Sequence, residues 1–188
     1  MSRNAGHLGE MDLSGSFRPF ATLREQLGYV PNIFRAQTLL PKVIEAEVGL
    51  VDAVLFAERA LSRIQKECIL LVLAAANGSA SCVAIHYQML RLLSVPEPRL
   101  DQIVADYRTL SPVNVALVAL ALKTGVTGAS ISRRDLDQLF ASGLADDAIL
   151  EAVQTTALGN FLCTLSSGLG AVPDFPSKTF SAVEIPSS

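Results

Sequence analysis

Apolar residues recur at helical spacing through most of the chain, and no stretch reads convincingly as a strand. Between 43 and 57, Val43, Ile44, Val48, Val51, Val54 and Leu55 fall on a helical period, with Glu45, Glu47 and Asp52 at polar positions between them. Upstream, the pattern predicts a short helix over 20–27 that ends at Gly28, and another from Pro31 through Leu39. Pro41 opens the next, since proline is tolerated where a helix start needs no amide bond. Ser62 followed by Gln65 has the pattern of a capping box. The helix it opens is apolar on almost every face from Cys68 to Ala76, which predicts the buried centre of the domain. Asn77-Gly78 stops it, because both residues tolerate the left-handed conformation at a helix end. A following helix starts between 79 and 81 and lasts to Leu93. Pro96 and Pro98 precede a short helix, and Pro112 opens an apolar one stopped at Gly125. Ser132 caps another, and Asp146 or Asp147 is expected to cap a long last helix over 148–166.

The expected fold is therefore all-α, a single compact helical domain of roughly eight or nine helices over 19–176. A flexible, Gly/Ser-containing arm is expected over 1–18 and an irregular tail over 177–188. Composition agrees: half of the residues are hydrophobic, only 6% are aromatic, and tryptophan is absent, which suits closely packed helices. A mean hydropathy of +0.39 is high for a monomer, so apolar surface is expected to be buried between subunits of a homo-oligomer.

Several function classes drop away. The longest apolar run, 69–76, is far short of the ~20 residues of a spanning helix, so no membrane partner is expected. The first residues lack the apolar core of a signal peptide. A net charge of −3 without a Lys/Arg cluster argues against nucleic acid. Three cysteines cannot make a disulfide framework, and a cytoplasmic location is the economical expectation. Neither a phosphate-binding loop nor zinc-type Cys/His spacing occurs, so no cofactor and no metal are expected.

Chemistry concentrates in residues 62–93. Cys82 and His86 are four apart and share one face of their helix, while Glu67 lies on the preceding one. A thiol in the first turn of a helix is favoured as thiolate. An imidazole one turn on can take or deliver its proton, and a carboxylate on an adjoining helix can orient that imidazole. Taken singly, Glu67 would be a solvent-facing charge, and Cys68 and Cys163 small core residues.

The spacing Glu67-x11-Ser79-x2-Cys82-x3-His86, after Leu61-Ser62 and across Asn77-Gly78, resembles the alkylhydroperoxidase D-like branch of the carboxymuconolactone decarboxylase superfamily. GYVPNIFRA upstream and LGAVPDF downstream resemble its peroxidase-related members. The resemblance implies an oligomeric helical domain in which a cysteine pair reduces hydrogen peroxide or organic hydroperoxides. Cys82 stands at the attacking position, with Glu67 and His86 at the proton-relay positions and an external thiol or dithiol as reductant. Ser79 stands where that branch carries the second, resolving cysteine. The resemblance therefore implies a thiol-dependent antioxidant enzyme, here lacking the internal disulfide usual in that branch. The alternatives are a catalytically degenerate homologue that binds a small hydrophobic ligand, and a lactone decarboxylase.

Overall fold

Helix α4 (Arg63–Ala76) is the element on which the others pack. Every side chain from Lys66 to Ala74 is buried, so the helix has no solvent face over that span. The computed structural model describes residues 5–13, 17–176 and 183; among them all regular structure is helical. Ahead of α4 come α1 (Arg18–Leu27), α2 (Asn32–Arg35), α3 (Pro41–Val51) and a π-helical turn (Asp52–Phe56). After it come α5 (Ala80–Leu92), α6 (Glu97–Ala105), a 3-10 turn (Tyr107–Thr109), α7 (Pro112–Gly125), α8 (Arg133–Ala141) and α9 (Asp146–Leu169). Packed on α4 are α5, α7 and α9, which build the larger apolar core. The smaller core joins α1, α2, α3 and the π turn to Leu70 of α4 and to Leu158 and Leu162 of α9.

The capping signals act as expected. Ser62 Oγ accepts the Gln65 amide while the Ser62 amide donates to Gln65 Oε1, and Ser132 and Asp135 repeat the exchange at α8. Several boundaries differ, among them α1, which starts at Arg18, and α9, which runs on to Leu169. The helix expected from Pro31 to Leu39 is shorter: Pro31 precedes it as cap, it ends at Arg35, and the Ala36 amide closes it on Asn32 O at 2.8 Å. The helix expected to run through residue 57 ends as α3 at Val51 and passes into the π turn, where the Ala57 amide reaches back to Asp52 O at 3.1 Å. The last helix starts at Asp146 rather than after it. Its cap position is Ala145, and Asp146 and Asp147 fill the first turn, where carboxylates suit the positive end of the helix dipole.

Lys66 explains the π turn. Its side chain is fully buried and its ammonium donates to Val54 O (2.8 Å) and Ala57 O (2.5 Å), carbonyls at the end of that turn. Glu151 of α9 neutralises it at 2.5 Å and accepts the Leu61 amide at 2.8 Å. One charged pair thus ties the π turn, the loop before α4 and α9 together, with the buried ammonium fully engaged.

Two glycines set how closely α9 approaches. A Cβ at Gly159 would lie 2.7 Å from Leu70 and 2.8 Å from Leu73 of α4, and one at Gly125 would lie 2.6 Å from Thr156. With hydrogens there instead, α9 settles against α4 and α7. By length and composition α9 is apolar enough to cross a membrane, yet 56% of its apolar window is buried within this fold, which makes it a core helix.

Residues 5–13 lie along the domain rather than away from it. The His7 amide bonds Leu169 O, the Val172 amide bonds Ala5 O, and the Met11 amide bonds Thr38 Oγ1, each at 2.8 Å. Backbone bonds and the buried Ala5 side chain anchor this stretch despite its lack of periodicity. The rest of the arm expected over 1–18, apart from 17 and 18, and all of the tail expected over 177–188 but Val183 lie outside the described residues.

Candidate active site

The site is assembled where the α4–α5 hairpin meets α9 and the amino-terminal helices. Gly78, at φ 66°, makes the turn that brings α5 back along α4. This places His86 of α5 opposite Glu67 of α4, with Nδ1 2.7 Å from Glu67 Oε2. Glu67 is fully buried, not solvent-facing as its position in a first turn suggests in isolation. Arg63, one turn earlier on α4, supplies the reason: its Nε donates to Glu67 Oε1 at 2.7 Å, and a second guanidinium nitrogen lies 2.6 Å away. The guanidinium also stacks over the Phe56 ring at 4.7 Å. Burial pushes the Glu67 carboxyl up, but His86 and Arg63 outweigh it and hold the group below the usual carboxylate range. An ionised Glu67 makes Nδ1 the protonated nitrogen of His86, leaving Nε2 for proton exchange.

Cys82 lies one turn before His86, is buried, and shares a cavity wall with it. Its partner is Cys163 of α9. The Cys163 thiol donates to Cys82, which is the largest influence drawing the Cys82 thiol down to about 6. Burial opposes the shift; the His86 charge, Ser79 and Ser166 assist it. Cys163 is pushed upward by the same contact, by burial and by the charge on Cys82. Ser79 is the cap residue of α5 and its hydroxyl is buried without a hydrogen bond of normal geometry, beside both sulfurs. Cys68 stands apart, raised to about 11 by burial and by the neighbouring Glu67 charge.

The cavity holds about 50 Å³. Ile33, Phe34, Leu55, Met89 and Leu162 give it an apolar wall, against which Cys82, His86, Glu67 and Arg63 present the polar groups. Val172 and Asp174 also line the cavity, on a stretch tied to a distant part of the sequence. The Asn32 amide donates to Asp174 Oδ1 at 3.0 Å, Asn32 Nδ2 donates to Val172 O at 3.1 Å, and the Tyr29 and Phe175 rings stack edge to face. Burial raises the Asp174 carboxyl to about 6, against the Asn32 amide and Arg35. Among the described residues no His/Cys/Asp/Glu cluster is suited to a metal ion.

The profile of the carboxymuconolactone decarboxylase family matches residues 41–123, which contain Glu67, Ser79, Cys82 and His86. Over that segment, somewhat under half of the chain, the sequence is similar to that family. Solved structures share the fold over nearly the whole length. A peroxidase-related protein from Silicibacter sp. TM1040 is 24% identical at a TM-score of 0.80, with 91% of this chain and 92% of that one covered. A peroxidase-related protein with an alkylhydroperoxidase core, from Ralstonia eutropha JMP134, is 21% identical at 0.83, covering 92% and 94%. The debrominase Bmp8, solved in complex with 2,3,4-tribromopyrrole, is 18% identical at 0.77, covering 93% of each chain. No curated protein matches the chain in sequence.

The structure brings together all four residues singled out by the sequence and adds Arg63, Cys163 and Ser166. Arg63 could have been found from its position four before Glu67, the spacing of a helical ion pair. Nothing local marks Cys163, because its contact with Cys82 depends on how α9 crosses the hairpin.

Proposed function

We propose that this protein reduces small organic hydroperoxides through Cys82. The observation that carries the reading is a low-lying Cys82 thiol in the same apolar-walled cavity as a carboxylate-clamped imidazole. The Cys82 thiolate attacks the terminal peroxide oxygen; the S–O bond forms as the O–O bond breaks. Cys82 becomes a sulfenic acid, oxidised by two electrons, and the alkoxide leaves as an alcohol by taking a proton from His86. Glu67 and Arg63 hold the imidazole in position for that transfer, and Glu67 balances the charge when it is protonated. Apolar walls favour an alkyl hydroperoxide over hydrogen peroxide, and the volume favours a small one. A thiol then condenses with the sulfenic acid, and an external dithiol restores the reduced protein. Homo-oligomeric assembly and a cytoplasmic location belong to the same proposal.

Turnover of tert-butyl hydroperoxide with dithiothreitol as reductant tests it. The reading requires consumption well above the uncatalysed rate, abolished in Cys82→Ser. Equal rates for the two proteins would overturn it.

A further inference from the structure

Ser79 occupies the place where a second sulfur is expected, so the sulfenic acid on Cys82 needs another route back. Cys163 of α9 offers a sulfur from outside the motif. Gly159 lets α9 press against Leu70 and Leu73 of α4, and one turn beyond it Cys163 comes off the same helical face. There Cys163 lies in the same buried cluster as Cys82, bracketed on α9 by two ties to the hairpin: Asn77 Nδ2 donates to Asn160 Oδ1 at 2.8 Å, and Ser81 hydrogen-bonds Ser166. Ser166 also flanks Cys82. The pair is enclosed, since both cysteines are buried.

We propose that Cys163 is the resolving thiol of Cys82, so that a disulfide between α5 and α9 takes the place of the one Ser79 forecloses. The inference rests on the peroxide reading of Cys82. In the resolving step Cys163 gives up its proton and its sulfur attacks Cys82 Sγ. The S–S bond forms as the S–O bond breaks, and the hydroxyl leaves as water with the proton taken from the thiol. Over the cycle one hydroperoxide and two thiols give one alcohol, one water and one disulfide, which an external dithiol reduces by exchange.

The order of events is built into the contact. While Cys82 is a thiolate, its charge and its hydrogen bond keep the Cys163 proton in place. Oxidation to the neutral sulfenic acid removes that charge, so Cys163 becomes easier to ionise once it has something to attack. Cys68 does not compete: it adjoins Glu67, and its thiol is held protonated at about 11.

Peptide mapping without reduction tests the pair in the full-length protein. One equivalent of tert-butyl hydroperoxide is expected to give a Cys82–Cys163 cross-link, unaltered in Cys68→Ser. In Cys163→Ser, checked for native helix content by circular dichroism, Cys82 should stop at a sulfenic acid that dimedone captures. Oxidation by diamide forms the same link without any peroxide, so it separates the two readings. A link with diamide but no reaction with hydroperoxide supports the thiol pair and contradicts the peroxide reading. Oxidised Cys82 without a link to Cys163 under either oxidant overturns the pair while leaving the peroxide reading in place.

Discussion

His86 Nδ1 and Glu67 Oε2 stand 2.7 Å apart, both side chains buried, with Arg63 closing the carboxylate from its other oxygen. The arrangement fixes which nitrogen of His86 faces the chemistry. It also carries a cost, since three charged or chargeable groups have left water and each depends on the others. Replacing Glu67 by Gln keeps the shape and removes the charge. Glu67→Gln is expected to lower kcat for hydroperoxide turnover about 100-fold, the scale of a lost general acid–base contribution. It should also lower stability by about 3 kcal/mol in urea denaturation, because Arg63 is left without its counter-ion.

The contact between Cys82 and Cys163 sets the pH at which Cys82 reacts. Only the thiolate is alkylated, so the rate of Cys82 alkylation by iodoacetamide should rise with pH through a midpoint near 6 and level off above it. Removing the donor in Cys163→Ala takes away the largest influence holding the value down. The midpoint should then move up, toward the ordinary cysteine value of 9.0. Cys68→Ser should leave it in place. Alkylation followed by peptide mass spectrometry reads all three proteins.

Lys66 bonds the Val54 and Ala57 carbonyls and the Glu151 carboxylate from a fully buried position. Lys66→Met fills similar volume and leaves those oxygens unpaired. It should cost about 3–5 kcal/mol, seen as a lower urea midpoint with an unchanged slope. Adding Glu151→Leu removes the orphaned charge and should recover part of the loss, a coupling that a double-mutant cycle measures.

Local chemistry makes much of this fold legible. Ser62 with Gln65, Ser132 with Asp135, and Gly78 each mark an element end, because the bonds or dihedrals involved lie within a few residues. The uninterrupted apolar stretch after Glu67 likewise marks a central helix. Helices α4 and α8 each open with a capping box. What stays hidden depends on tertiary approach. Glu67 is buried because Arg63 and His86 converge on it, and that convergence needs the hairpin closed. Cys163 reads as a core residue until Gly159 is seen to admit Leu70 and Leu73. The π turn is hidden for the same reason, being held by a lysine that follows it in sequence and bonds back to its carbonyls.

The central claim is that Cys82 is the thiol that meets the peroxide. Its most direct test is a single-turnover reaction of the reduced protein with tert-butyl hydroperoxide, quenched over time and mapped to give an oxidation rate for each cysteine. The account predicts that Cys82 is oxidised first, with one alcohol released per Cys82 lost, while Cys68 stays reduced. Oxidation of Cys82 no faster than that of Cys68 would contradict it.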